Sequence, residues 1–412
     1  MPLRRLARLA FSAVICALVL AGRCLPAGAA VESTLCHGCH TIHNSENGVE
    51  VYNNPFDPLD VGPVVHLLRS TCLGCHSNTK DGTLIDSYGA PIVYNTKSPG
   101  PDGGVGLAGG NFYWVAKDSP FVPPGADGAD AILKARDTRG HNVFGISGHD
   151  SRCTSAPGGG PTSFRPSCTT KDEKSNSFSC HQTLAAQTKF ETVDDNNLLG
   201  QTVGGCRGCH IATHHHSKKN AALQYRFLQG HHGDQSYVDG LGADDWEKTP
   251  TKDNHNEYTG TVVTYSDVSE SGGFILGELK TISAFCCGCH GNLHQGAGDM
   301  ADGFWERHPA DVVLPADKKD FANYQGANGL LIYDPLVPVA RPDLGKFLDT
   351  CPESDRVAPS AVRPGTDIVM CLSCHRAHGS PNPLMLRWPY PLKDDEVMLP
   401  NTACRVCHTD KP

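Results

Sequence analysis

The feature that most constrains this chain is a five-residue pattern, Cys-x-x-Cys-His, that occurs six times. The copies are Cys36/Cys39/His40, Cys72/Cys75/His76, Cys206/Cys209/His210, Cys286/Cys289/His290, Cys371/Cys374/His375 and Cys404/Cys407/His408. Each copy holds two thiols and one imidazole within five residues, so whatever these groups bind must be met six times along one fold. The rest of the sequence supplies little to fold around. Glycine and proline make up 44 and 29 of the 412 residues and aromatics only 7%. Amphipathic repeats are scarce, so side chains alone would give a poor apolar core.

The spacing names the missing material. Two thiols three residues apart can each add to one vinyl group of a haem, and the imidazole that follows then lies under the same porphyrin as its proximal iron ligand. Cys-x-x-Cys pairs also occur in zinc knuckles and redox disulfides. Zinc would need two more ligands at recurring distances from each pair, and a disulfide leaves the following histidine unexplained. Covalent haem c is therefore the expected cofactor, with His40, His76, His210, His290, His375 and His408 as proximal ligands.

Seven of the 19 cysteines lie outside these copies. Cys16 and Cys24 fall near the N-terminus, and Cys153, Cys168, Cys180, Cys287 and Cys351 remain. Cys180 precedes His181, so Cys168, Cys180 and His181 have the form Cys-x11-Cys-His and would attach a seventh haem if the polar loop between the thiols folds out. The alternative is a disulfide, Cys153 to Cys168 or Cys168 to Cys180, in an oxidising compartment. Cys287 and Cys351 are a further candidate pair.

Ligand arithmetic sets the iron chemistry. Seven bis-histidine haems need fourteen of the 21 histidines, whereas the chain has only five methionines including the initiator. Irons with two imidazoles have no vacant position for a substrate and sit at lower potential than Met/His irons. The candidate second imidazoles are His43 and His378, three residues after a proximal histidine, and His214 and His294, four after. Three or four residues is one helical turn, which aims the second ring beside its own haem and toward a neighbouring one. In the clusters Cys36-His37, His214-His215-His216 and His231-His232, at most one member is expected to be a ligand.

Residues 1–30 read as a signal peptide: Arg4, Arg5 and Arg8, then an apolar run, then Ala27-Gly28-Ala29-Ala30. The run is shorter than the ~20 residues of a bilayer span, and Arg23 argues against lipidation at Cys24. Without these residues 31 basic side chains face 44 acidic ones. A surface of that sign suits neither nucleic acid nor anionic lipid. Residues 31–412 show no clean domain boundary. The expected fold is mostly irregular coil with short helices at the motifs and little sheet, with strand pieces at 261–265 and 274–279. Such a chain would wrap a stack of haems whose buried porphyrin faces replace an apolar core.

With these motifs in hand, the chain resembles the OmcS-type extracellular multihaem cytochromes, which polymerise into filaments. The likeness is carried by CHGCHTIHNS, CLGCH, GGNFYWV, RGHNVFG, CCGCHGNLH, ERHPAD, CLSCHRAHGS and a final CRVCH, in that order over nearly the whole mature chain. The resemblance implies an elongated coil fold around a continuous haem stack, His141 and His308 as distal ligands, and His43 as a ligand to a haem of the adjacent subunit. The middle of the chain departs from the six-haem pattern, because CRGCHIATHHH and the Cys168/Cys180 site stand where one ordinary motif is found.

These features fit an electron carrier, exported to the cell surface or beyond, or otherwise to the periplasm. Its expected partners are other copies of itself, partner cytochromes or extracellular metal oxides. The alternative is a multihaem oxyanion reductase, which needs an open haem, often with lysine as the proximal ligand; no Cys-x-x-Cys-Lys is present. A structural or metal-storage module is disfavoured by six haem motifs.

Overall fold

Five of the six motifs fold as a single helical turn. In four of them the computed structural model carries the backbone N–H of the closing histidine to the carbonyl of the first cysteine: His210 to Cys206 at 2.9 Å, His290 to Cys286 at 3.0 Å, His375 to Cys371 at 3.1 Å and His408 to Cys404 at 2.8 Å. That turn puts residues i, i+3 and i+4 on one face, which is where the two thiols and the imidazole stand. The turns are α1 (Cys72–His76), the 3-10 turn Gly205–Gly208, and three more helices in a series interrupted by α2 (Ala129–Arg136). These are α3 (Ile282–Cys287), α4 (Cys371–Cys374) and α5 (Cys404–Cys407). Ser373 anchors the start of α4 by accepting from the Met370 N–H at 3.0 Å while its hydroxyl donates to the Pro338 carbonyl at 2.6 Å.

The structure describes residues 40, 45–46, 49–50, 72–100, 106–150, 156–157, 170–171, 177–178, 184–185, 205–210, 225–228, 238–243, 245–262, 280–287, 289–290, 308, 310–316, 324, 331–344, 359–390 and 403–408. Among these the chain is mostly irregular, with short helices and little sheet, as expected. No helix among the described residues is long and apolar enough to cross a membrane.

Strands are two or three residues long. Pairs β1 (Ser45–Glu46) with β2 (Val49–Glu50) and β5 (Thr170–Lys171) with β6 (Ser177–Phe178) are antiparallel, while β3 (Ser77–Asn78) and β4 (Tyr94–Asn95) are parallel. The one larger sheet has the order β7-β8-β10-β11-β9, from Gly240–Leu241, Glu257–Thr259, Ala340–Arg341, Ile368–Val369 and Val312–Val313. Its β8–β10 pair is parallel and the others antiparallel. The strand expected at 261–265 lies earlier in the chain: β8 ends at Thr259, and residues 261–262 run free of the sheet. The rest of that segment, and 274–279, lie outside the described residues.

Among the described residues, side chains pack in three small clusters, and each reaches haem-attachment motifs. Leu73, Tyr94, Phe112, Val115 and Ile146 gather beside Cys206. Tyr258, Ile282, Ile368 and Met370 gather under Leu372 and Phe285. Tyr324, Tyr333, Val339 and Trp388 gather against Cys374, Cys404 and Cys407. Each cluster holds only seven or eight buried residues, and a fully buried apolar side chain contributes about 1.5–3 kcal/mol, so separate clusters make a thin interior unless the attached groups join them.

Candidate functional site

The attachment thiols of successive motifs are brought together in chain order. Cys72 hydrogen-bonds Cys206, Cys209 lies within electrostatic reach of Cys289, Cys286 hydrogen-bonds Cys371, and Cys374 feels Cys407 and Cys404. None of the described cysteines is in a disulfide. Burial pushes the Cys209 thiol up to about 11 and the Cys374 thiol up to about 12, so these groups are neutral thiols held in an apolar wall. Cys75, expected as the second attachment thiol of its motif, stands half-buried on α1, one helical turn after Cys72.

The imidazoles come together in pairs. Ring centroids stand 6.2 Å apart for His141 and His290, 6.1 Å for His210 and His378, and 5.8 Å for His308 and His408. An atom bonded to two imidazoles on opposite sides, with metal–nitrogen bonds of about 2 Å, sets ring centroids ~6 Å apart. Each pair joins one motif histidine to one histidine from elsewhere. The Nδ1 of five rings meets a backbone carbonyl: His76 to Pro91 at 2.8 Å, His141 to Ala377 at 2.6 Å, His210 to Arg226 at 2.9 Å, His290 to Pro157 at 2.7 Å and His375 to Leu384 at 2.8 Å. Such a bond fixes the tautomer with Nε2 bare, ready to take a metal. Burial holds His378 down to about 3 and lowers His210 and His375, which keeps these rings in the neutral form that coordinates.

The helical-turn argument for His378 is corrected here. Helix α4 stops at Cys374, and His375 is extended (φ −110°, ψ 158°), so the chain leaves the helix before it reaches His378. The reason it leaves is a backbone crossing of three segments. His378 N–H donates to the Gly109 carbonyl at 2.7 Å, Asn111 N–H to Gly379 at 3.0 Å and Ser380 N–H to Arg139 at 2.9 Å. Gly110, at φ +83°, faces Gly379 so closely that a Cβ there would lie 1.8 Å from its carbonyl oxygen. Phe112 stacks on the His378 ring at 4.8 Å. The motifs GGNFYWV, RGHNVFG and CHRAHGS are thus three sides of one clamp that sets both His141 and His378.

Two buried guanidiniums flank the α4 motif, and among the described residues neither hydrogen-bonds a carboxylate. Arg376 donates to the carbonyls of Leu107 and Ala108 at 3.0 and 3.1 Å, and Arg387 to those of Leu372 and Pro335 at 2.7 and 3.2 Å. Arg376 Nε, one Arg387 terminal nitrogen and Trp388 Nε1 have no hydrogen-bond partner. Burial, and Arg387 next to it, push Arg376 down to about 9. Buried donors without acceptors are costly, and this set fits an anionic group such as a haem propionate, so the residues present suit haem c. Sequence reasoning missed Arg376, Arg387 and Trp388; their signal lay in the conjunction of two arginines with an attachment motif in a segment without acids.

Cys36, Cys39, His43, Cys168, Cys180, His181, His214 and His294 lie outside the described residues, as do Cys153 and Cys351. His40 is described at the edge of an isolated bridge.

One-turn thiol–imidazole sites in series, apolar walls between them and opposed imidazoles define the class: the chain is a multihaem c-type cytochrome. Its residues 363–412 match a family model for a doubled CXXCH motif. Within the class it is similar to the C-type cytochrome OmcS of Geobacter sulfurreducens, with 24% identity over 380 residues, 84% of this chain and 76% of that one. Two solved structures are also similar. The outer membrane cytochrome S filament from that organism gives a TM-score of 0.43 at 18% identity, covering 88% of this chain and 85% of that chain. The OmcS nanowires, from cryo-electron microscopy, give 0.40 at 20% identity, covering 88% and 84%.

Proposed function

We propose that this chain carries electrons along a row of haem c groups whose irons are held by paired histidines. The observation that supports this best is the set of three imidazole pairs at about 6 Å, each uniting a motif histidine with a remote one. In this reading His210 and His378 share one iron, His290 and His141 a second, and His408 and His308 a third. His76, His375 and His40 serve as proximal ligands whose second imidazoles come from the remaining candidates, among them His43, His214 and His294. Cys75 joins Cys72 in holding the haem of α1, its half-buried position leaving the thiol open to the vinyl group.

Haem c, when bound, supplies a reversible one-electron iron couple. The chain does the rest. Its thiols would fix each group in place, and its opposed imidazoles would hold the iron and leave no room for a substrate there. Its apolar clusters keep water from the interior, which lowers the reorganisation needed for each transfer. Because attachment thiols of successive motifs meet in chain order, neighbouring groups would stand close enough for electrons to pass from one to the next. A row of this kind suits export to the cell surface, with other copies of the chain, partner cytochromes or extracellular metal oxides as partners.

The chain holds six haems at its Cys-x-x-Cys-His motifs and a seventh at Cys168/Cys180/His181. Intact mass of the mature protein, together with a reductive titration counting electrons per chain, tests this. Seven of each is expected, whereas six would return Cys168 and Cys180 to a disulfide. Substantial oxyanion turnover would contradict the bis-histidine assignment. Assembly into filaments is proposed through His43 as a ligand to an iron of the next copy. His43→Ala should leave the haem number unchanged, open one haem per chain and weaken assembly. A fully six-coordinate variant that assembles like the parent would remove that role.

A further inference from the structure

Two buried cations stand beside one haem-attachment motif, and neither attaches nor ligates a haem. Arg376 follows the proximal His375 and is 8% exposed, while Arg387 is 4% exposed and donates Nε to the Leu372 carbonyl within the motif at 2.7 Å. Arg387 lies within electrostatic reach of Arg376, of the Cys374 thiol and of the His375 ring. Both charges therefore sit against the groups that would hold the haem of α4.

The fold orients these charges without cancelling them. Among the described residues their acceptors are the carbonyls of Leu107, Ala108, Leu372 and Pro335, which fix the guanidiniums in place but carry no formal charge. Glu247 lies within electrostatic reach of Arg376 and accepts the Asn256 N–H at 2.7 Å. It can offset one of the two cations at most. Arg341 shows the opposite treatment, since it bonds both Glu257, at 2.9 Å, and Asp367. Arg207 and Arg405, inside the motifs that begin at Cys206 and Cys404, are half-buried and open to screening by solvent. Burial brings Arg376 down only to about 9, so it keeps its charge at neutral pH.

A fixed positive charge favours ferrous over ferric iron, because reduction takes one positive charge out of the interior. At on the order of 10 Å, through protein of effective dielectric about 20, a unit charge shifts that one-electron equilibrium roughly tenfold, or ~59 mV. Two such charges shift it by up to about a hundredfold. A propionate that takes the free N–H groups of Arg376, Arg387 and Trp388 offsets part of this, yet every haem brings propionates. What α4 adds is the pair of arginines.

We propose that Arg376 and Arg387 raise the potential of the haem attached at Cys371/Cys374 above that of its neighbours, so that the first electron to enter the row comes to rest there. Each transfer is a plain exchange: a neighbouring ferrous iron becomes ferric as the iron beside the arginines becomes ferrous, and no proton or bond moves. The site lies inside the row, since Cys371 hydrogen-bonds Cys286 of α3 and Cys374 feels Cys404 and Cys407 of α5. An electron at rest there stands between two carriers and is held in reserve for either.

This inference rests on the electron-carrier reading, and one titration separates the two. The holoprotein is titrated spectroelectrochemically, and the component reduced first is compared in the parent, Arg376→Gln, Arg387→Gln and Arg387→Lys. Each glutamine variant keeps its haem mass and low-spin spectrum, because no thiol or imidazole is touched, and the reduction equilibrium of its first component falls by up to roughly tenfold, ~59 mV. Arg387→Lys retains the charge and recovers most of that shift. A first component that stays put in both glutamine variants, or a lysine variant shifted as far as the glutamine one, overturns the proposal and leaves electron transfer standing. Haems that fail to reduce at all overturn the electron-carrier reading. Should the glutamine variants not mature, redox-difference infrared spectra of the parent with isotope-labelled arginine decide it: guanidinium bands that shift with the first electron support the proposal, and bands that shift only with later electrons, or not at all, contradict it.

Discussion

The clamp around His378 and the sheet around Arg341 are both buried, both rich in charged or polar groups, and built on opposite principles. In the sheet every charge has its partner: Glu257, Arg341 and Asp367 close a chain of hydrogen bonds with side chains 0–2% exposed. At the clamp, and along the segment that follows it, donors are left over. Among the described residues Arg376, Arg387 and Trp388 each keep a buried N–H with no acceptor, and neither guanidinium hydrogen-bonds a carboxylate. The sheet satisfies its buried charges with protein partners, whereas the leftover donors of the clamp fit a bound acidic group.

The largest test of that contrast is to withhold the cofactor. A chain produced without haem attachment should be unfolded by circular dichroism and lack a cooperative thermal transition, because three small clusters cannot offset the conformational entropy of about 380 residues. A native-like apo-protein would mean that the clamp is self-sufficient.

Next in size is Gly110→Ala. The new Cβ would meet the Gly379 carbonyl oxygen at 1.8 Å, so the crossing must open, at a cost of about 3 kcal/mol or more. His378 is carried away from His210, and one high-spin haem per chain should appear by electron paramagnetic resonance. An unchanged low-spin spectrum would show that the crossing does not set that ligand.

Arg341→Ala tests the other region. Removing the guanidinium takes one buried partner from each of Glu257 and Asp367, at about 3–5 kcal/mol, and should lower the thermal midpoint without changing any haem spectrum. Replacing Arg341, Glu257 and Asp367 together with apolar side chains should recover most of that loss.

The smallest effect is at the surface. The Arg363 guanidinium holds the Asp343 carboxyl down to about 2, so its stabilisation is full above the ordinary carboxylate value and fades as pH falls toward 2. With both groups about half exposed, the effect should stay under about 1 kcal/mol and vanish at high salt. Asp343→Asn with acid unfolding curves measures it.

Much of this was legible in the sequence because attachment chemistry is local. A five-residue motif dictates its own helical turn, and a coil fold follows from glycine, proline and scarce periodicity. The distal histidines were harder. His141 and His378 meet through contacts spanning 236 residues, and only likeness to a family pointed to His141 and His308. Spacing misplaced the cause for His378, since a helix was assumed to continue where the glycine crossing pulls the chain straight. The buried arginines carry no pattern at all; they become visible only when burial and partners are known.

The central claim is that opposed histidines fill both axial positions of every iron. Near-infrared magnetic circular dichroism of the fully oxidised, assembled protein tests it most directly, because the ligand pair sets the energy of the charge-transfer band. The account predicts the bis-imidazole band alone, at an intensity matching the haem count by mass. A Met/His band, or a high-spin band from an open iron, would contradict it.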